Sequence, residues 1–428
     1  MFCYQCEQTV EGTGCTKIGV CGKNEDIASL QDTLLFGVKG IAAYGFHAKE
    51  LGATDPEVDA FMHEALFSTL TNVDFDPHRF LKLVLKAGEM NIRVMEILDK
   101  AHTERFGNPE PAEVSTGTVE GHAILVTGHD LLDLYELLRQ TEGKGVNVYT
   151  HNEMLPAHGY PELKRFKHLA GNWGGAWHKQ KREFADFPGA MLATTNCVLI
   201  PPRDSYKDRL FTCGIAGIAG VTHIEGKDFS PVIDKALSLP RLPQKDGTKL
   251  VTGFHHKNVL ALAEKIIDAV KAGKIKHFFL IGGCDAPGDK GNYYREFAQA
   301  VPNDCVILTL ACGKYRINDI DFGSIDGIPR LIDLGQCNNA YSAIRIASAL
   351  ADAFKTDVNG LPLSLVISWF EQKAVAILLS LLHLGIKGIR IGPRPPAFIS
   401  EGVFKILQDT FDLKLIGDPR EDLKAILG

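Results

Sequence analysis

No stretch of eighteen consecutive apolar residues occurs in the 428-residue chain, so no membrane-spanning helix is expected. Positive charge is not in excess. Lys and Arg number 46 against 52 Asp and Glu, and with a net charge of −6 nothing suggests a general nucleic-acid binder. The start, Met1-Phe2-Cys3, has neither a basic segment nor an apolar core, so no signal peptide is read and a cytoplasmic location is expected. Neither region of alternating strand and helix carries G-x-G-x-x-G after its first strand, so no nicotinamide site is indicated. There is no low-complexity tract and no short-period repeat. The remaining composition, 45% apolar and 23% charged, is that of a globular protein with room for two or three domains.

Cysteine is what the chain does have, ten in all. Outside an oxidising compartment such a set points to metal binding or catalysis rather than disulfides. Four fall in the first 22 residues: Cys3, Cys6, Cys15 and Cys21, spaced C-x2-C-x8-C-x5-C among glycines. Only the first pair has the spacing of a zinc knuckle. The uneven gaps suit the separated iron corners of an iron–sulfur cluster better than one zinc ion, and a disulfide pair is the third option.

Residues 26–106 read as helical. Leu30, Leu34, Leu35, Val38, Ile41 and Ala42 recur at helical spacing, and Asp55-Pro56 and Asp76-Pro77 open two further helices. Phe106 to Gly121 and Leu239 to Leu242-Pro243 read as linkers. Between and after them, short apolar runs alternate with helical patterns, the signature of buried parallel strands. The expected fold is multidomain α plus α/β. An N-terminal three-helix bundle with a cysteine-rich loop (1–108) precedes two Rossmann-like α/β domains with parallel sheets (109–241 and 242–428).

Several strand patterns end in residues able to bind metal. Cys284, Cys312 and Cys337 each close an apolar run or follow one. His129 and Glu153 follow the strands 123–126 and 146–149, Cys197 lies in the strand pattern 192–200, and Glu371 follows the strand 363–368. Ligands in open α/β sheets gather beyond the carboxyl ends of the strands. One imidazole, two carboxylates and four thiols there suggest a mixed-ligand metal site, part sulfide and part oxygen. The blander readings are a satisfied helix-terminal histidine, first-turn carboxylates and small buried hydrophobes. Cys213 and Cys305 are assigned to the core.

The matching stretches then run in order along the chain: C-Y-Q-C-E-Q-T at Cys3, T-G-H-D at His129, E-M-L-P-A-H-G-Y-P-E-L at Glu153 and T-T-N-C at Cys197. They continue as G-G-C-D at Cys284, A-C-G-K-Y at Cys312, G-Q-C-N at Cys337 and W-F-E-Q-K-A at Glu371. By these motifs the chain resembles the hybrid-cluster protein family, the hydroxylamine reductases. The resemblance implies a [4Fe-4S] cluster at Cys3, Cys6, Cys15 and Cys21. It implies a hybrid [4Fe-2O-2S] cluster ligated by His129, Glu153, Cys197, Cys284, Cys312, Cys337 and Glu371, with Cys284 as the persulfide-bearing cysteine. It further implies reduction of hydroxylamine to ammonia and water, and nitric oxide reduction under nitrosative stress. His129, Glu153 and Glu371 would flank the reacting iron, with Lys373 supplying positive charge beside it. A redox donor protein and a monomeric state are expected. The alternative is a nitric-oxide-responsive sensor that nitrosylates partner thiols with the same cluster. Carbon monoxide dehydrogenase is similar only as a distant relative by fold. The chain has room for one helical bundle where longer members have two, so it resembles the short class found mainly in archaea and thermophilic bacteria.

Overall fold

The computed structural model describes residues 2–203, 205–288 and 291–428. Three helices follow the cysteine-rich start: α1 (Glu25–Glu50), α2 (Pro56–Ser68) and α3 (Pro77–Phe106). Each begins where its sequence supplies a cap. The side chains of Asn24, Asp55 and Asp76 accept hydrogen bonds from the first free backbone N–H groups, and Pro56 and Pro77 occupy the first turns. The bundle is completed from far along the chain. Helix Gln372–His383 lies against α1 and α3 at glycines: a Cβ at Gly88 would stand 2.1 Å from Leu379 O, and one at Gly40 2.5 Å from Ala376 Cβ. Asn91 Nδ2 donates to Ser380 Oγ at 2.9 Å, and Ser380 Oγ donates to Gly88 O at 3.0 Å, across the same seam.

Two six-stranded sheets follow, every strand parallel to its neighbours. After a short strand β1 (Ala112–Ser115), the first sheet comprises β2 (His122–Thr127), β3 (Val146–His151), β4 (Leu169–Asn172), β5 (Ala190–Ala193), β6 (Leu210–Cys213) and β7 (Thr222–Ile224), in the order β4-β3-β2-β5-β6-β7. Beyond β8 (Lys249–Thr252), the second sheet takes β9 (His277–Gly283) and β10 (Cys305–Thr309). A two-stranded hairpin of β11 (Ser324–Ile325) and β12 (Ile328–Pro329) intervenes. Then come β13 (Leu331–Asp333), β14 (Leu363–Ser368), β15 (Arg390–Gly392) and β16 (Lys414–Leu415), in the order β13-β10-β9-β14-β15-β16. Both orders are doubly wound. The winding reverses between β2 and β5 in one sheet and between β9 and β14 in the other, which opens a crevice at the carboxyl ends there.

Three readings of the sequence need correction. The presumed linker 106–121 contains β1, which pairs antiparallel with β8, and Gly121 exchanges backbone hydrogen bonds with Leu242 of the second presumed linker. The segment 251–272 is not mostly helix from its start: its first residues finish β8, and helices begin at His256 and Ala263. The strand expected over 192–200 ends at Ala193, because Thr194 and Thr195 turn the chain away toward Cys197 at φ 67°. Among the described residues, no helix is long and apolar enough to cross a membrane.

Candidate functional site

The crevices of the two sheets face each other, and the sequence-predicted ligands sit on their rims. From the first sheet come His129 after β2, Glu153 after β3 and Cys197 after β5. From the second come Cys284 after β9, Cys312 after β10, Cys337 after β13 and Glu371 after β14. The structure brings all seven together. Glu153 Oε2 accepts from the Cys337 N–H at 2.8 Å and lies 3.6 Å from His129 Nε2. Cys197 feels Glu371, Glu153 and Cys337, while Cys284 feels Glu371, Cys197 and Cys337. Cys312 feels Glu153, Cys197 and Cys284.

The local chain is built to aim these groups. Gly128, at φ +115°, lets His129 turn back under Thr194 and Thr195, where a Cβ would meet their hydroxyls at 2.4 and 2.7 Å. Asn152, Cys197 and Ala311 hold positive φ (58°, 67° and 59°) although none is glycine, and each is a predicted ligand or precedes one. Such conformations cost about 1–3 kcal/mol each and persist only where the surroundings impose them. Gln336, beside Cys337, donates from Nε2 to the carbonyls of His129 (3.0 Å) and Glu153 (2.9 Å), tying one sheet's rim to the other's.

The tautomer of His129 follows from its partners. Lys373 Nζ lies 2.9 Å from Nε2, and an ammonium can only donate, so Nε2 presents its lone pair. Nδ1–H then donates to Thr195 Oγ1 at 2.8 Å. Lys373 also donates to Asn196 Oδ1 at 2.9 Å and is buried. Burial by itself would lower its pKa, but Cys337, Glu371, Cys197 and Glu153 raise it. Burial pushes His129 well below the ordinary histidine range, with Lys373 and His47 adding to it. It lifts Glu153 and all four thiols, Cys337 to about 12.

These shifts test what the site can hold. Six acidic groups meet in a buried volume beside a single bonded ammonium, Lys373; Lys314, nearby, is paired to Asp333 at 2.8 Å. Without a cationic centre the thiols keep their protons. Glu153 Oε1 is buried with no hydrogen-bond partner, a vacant acceptor in a place where orphaned oxygens are costly. The donor set therefore fits a polycationic centre, with soft sulfur on one side and imidazole and carboxylate on the other. Glu371 also serves as the N-cap of helix Gln372–His383, its Oε2 accepting from Lys373 N–H at 3.1 Å. The helix-end role weighed from sequence is thus present at this carboxylate.

The N-terminal cysteines form a second group near the surface. Cys3 and Cys15 exchange a backbone bridge, Cys15 N donating to Cys3 O at 2.7 Å; Cys15 is buried and Cys21 exposed. Among the described residues, the triads whose ligand atoms all lie within 4.8 Å are His129–Glu153–Cys337 and Asp99–His255–His256, so these thiols are not drawn together around one point. A tetrahedral zinc would hold thiolates about 3.8 Å apart. Asp99–His255–His256 was not anticipated. His255 Nε2 and Asp99 Oδ1 lie 3.0 Å apart, and His255 Nδ1 caps the helix at His256, which satisfies both ring nitrogens. Cys213 and Cys305 lie in separate apolar cores, as assigned.

Sequence reasoning missed Gln336, Asn152, Thr195, Tyr44 and Trp177. Gln336, Asn152 and Thr195 adjoin predicted ligands or their motifs, a signal that was present. Tyr44, buried on α1 against Cys337 and Glu371, gave none. Trp177 stacks on Phe370 at 3.8 Å and donates from Nε1 to Asp285 O at 2.8 Å, walling the thiol side.

The model of the Prismane/CO dehydrogenase family matches residues 1–84 and 51–424. A hydroxylamine reductase of Moorella thermoacetica is 71% identical over 428 residues, all of both chains. One of Methanothermobacter thermautotrophicus is 58% identical over all of both chains. The alignment with the hydroxylamine reductase of Syntrophobacter fumaroxidans, 46% identical, spans 543 residues, so that relative carries segments this chain lacks. Among solved structures, carbon monoxide dehydrogenase IV from Carboxydothermus hydrogenoformans superposes with a TM-score of 0.81 at 16% identity, covering 99% of this chain and 92% of that one.

Proposed function

The chain belongs to the Prismane/CO dehydrogenase family, and on that premise we propose that it is an iron–sulfur oxidoreductase reducing hydroxylamine to ammonia and water. Two electrons and two protons are consumed per N–O bond broken. The observation that carries the reading is the convergence of His129, Glu153, Cys197, Cys284, Cys312, Cys337 and Glu371 between two sheet rims, with a buried carboxylate oxygen left unpartnered. Those seven would hold a mixed iron–sulfur–oxygen cluster, and Cys3, Cys6, Cys15 and Cys21 a four-iron cluster near the surface. The mixed cluster, when bound, supplies a Lewis-acidic, redox-active iron.

The chain's own residues do the rest. With Nε2 given to the cluster, the Lys373 ammonium, 2.9 Å from that nitrogen and held also by Asn196 Oδ1, would be free to offer positive charge to a small polar substrate. Thr195 and Gln336 fix His129 and Glu153 in orientation. Trp177 and Phe370 cover the sulfur side, so substrate meets the imidazole and carboxylate side. A four-iron cluster held by Cys3, Cys6, Cys15 and Cys21 would supply a near-surface relay for electrons from a redox donor. Burial of Cys284, Cys312 and Cys337 speaks against the thiol-nitrosylating alternative, which needs a cluster that a partner's thiol can reach.

The test is anaerobic purification, iron and acid-labile sulfide analysis, and dye-linked turnover of hydroxylamine. About eight irons per chain and steady ammonia production are expected. Iron near four per chain, or full loading without turnover, would overturn the reading.

A further inference from the structure

We propose that Lys23 is a buried counter-charge that raises the reduction potential of the iron–sulfur centre held by Cys3, Cys6, Cys15 and Cys21. The inference rests on the reading of those thiols as ligands. Lys23 lies between Cys21 and α1 and is 1% exposed, where a lysine at a helix start ordinarily extends into water. Its Nζ donates to Gln31 Oε1 at 2.5 Å and to Cys3 Sγ at 3.9 Å. One acceptor is a neutral amide and the other a proposed ligand sulfur.

The turn is shaped to put it there. Gly22 takes φ +92°, and Gly19 N donates to Lys23 O at 2.6 Å. A Cβ at Gly19 would stand 3.1 Å from Lys23 O and 3.3 Å from Cys21 Sγ, so the loop closes on the lysine and the thiol together. Asp32, the next residue after Gln31, feels the ammonium, but its own burial opposes its charge and raises its carboxyl. A buried cation is costly unless something nearby compensates it. A four-iron cluster with four thiolates is anionic and becomes one unit more so on one-electron reduction. The ammonium, unchanged in that step, stabilises the reduced form more than the oxidised one.

The experiment is a redox titration of the full-length, cluster-loaded protein followed by electron paramagnetic resonance of the N-terminal centre. Lys23→Met removes the charge at similar volume, Lys23→Arg keeps it, and Gln31→Glu sets a carboxylate against it. At the poise that half-reduces the wild-type centre, Lys23→Met should lower the reduced-to-oxidised ratio at least about tenfold, equivalent to about 59 mV for one electron. Gln31→Glu should move the ratio the same way, and Lys23→Arg should stay close to wild type. An unmoved ratio in Lys23→Met with full iron content overturns the proposal. So does an equal shift in Lys23→Arg, which would make packing the cause. If Lys23→Met does not assemble, an unmoved Gln31→Glu overturns it alone. A wild-type protein with no such signal overturns the ligand reading and the role of Lys23 together, whereas a normal signal with an unmoved ratio removes only the latter.

Discussion

Replacing Glu371 by Gln separates the capping role the structure gives this carboxylate from the ligand role proposed for it. As the N-cap of helix Gln372–His383 it accepts from Lys373 N–H at 3.1 Å. The Gln carbonyl can accept the same bond, so the capping loss is below about 1 kcal/mol. Loss of negative charge at a helix start adds at most about 1 kcal/mol. Together these stay under about 2 kcal/mol, well inside the 5–15 kcal/mol that typically holds a domain folded. In its proposed role as a ligand of the deep centre, the same change would weaken that attachment, and it leaves Lys373 with one fewer negative neighbour. Hydroxylamine turnover should therefore fall at least about a hundredfold, which is about 2.7 kcal/mol of activation free energy. Thermal unfolding and iron content should remain near wild type. The assay is dye-linked ammonia production beside calorimetry and iron analysis on one preparation. Wild-type turnover would place Glu371 outside the metal site. A melting temperature that collapses in step with activity would refute the claim that capping and ligation separate.

Gly128→Ala drives a methyl group into the Thr194 and Thr195 hydroxyls. It should cost roughly 1–3 kcal/mol and reduce iron at the deep site while the N-terminal centre's resonance signal persists. Cys15→Ser should do the reverse, abolishing the N-terminal signal and sparing much of the deep one, because the two ligand sets occupy separate parts of the fold; loss of both with the fold intact would contradict this. Burial holds His102 and His158 down to about 4. In the unfolded chain histidine binds a proton below about 6.5, so the unfolded state takes up protons that the native state refuses. Stability should be undiminished above that pH and fall as pH drops toward 4, with up to about two protons taken up on unfolding from these residues. A melting temperature flat between pH 7 and 5 would count against it.

Much of this was legible in the chain, and for identifiable reasons. Proline after aspartate marks the starts of α2 and α3 because it needs no helical donor and the aspartate supplies a cap. Apolar runs ending in Cys, His or Glu place candidate ligands at carboxyl ends because parallel strands are buried on both faces. What escaped was whatever depends on chain ends far apart in sequence. The β1–β8 pairing joins residues more than a hundred positions apart through backbone groups, which leave no side-chain pattern. The end of β5 at Ala193 is set by packing of Gly128 against two threonines, which outweighs the strand-like run that follows. Tyr44 is invisible because α1 reads as an ordinary amphipathic helix until the second sheet is laid beside it.

The paired segments β1 and β8, with Gly121 bonded to Leu242, have a mechanical consequence. The chain crosses between the two sheets as a closed strap rather than a loose tether. To part the sheets like a clam shell would require stripping that ribbon of its ladder and pulling Gln336 off two carbonyls on the opposite rim. Access to the crevice is then set by the side chains of its wall rather than by separation of the two sheets.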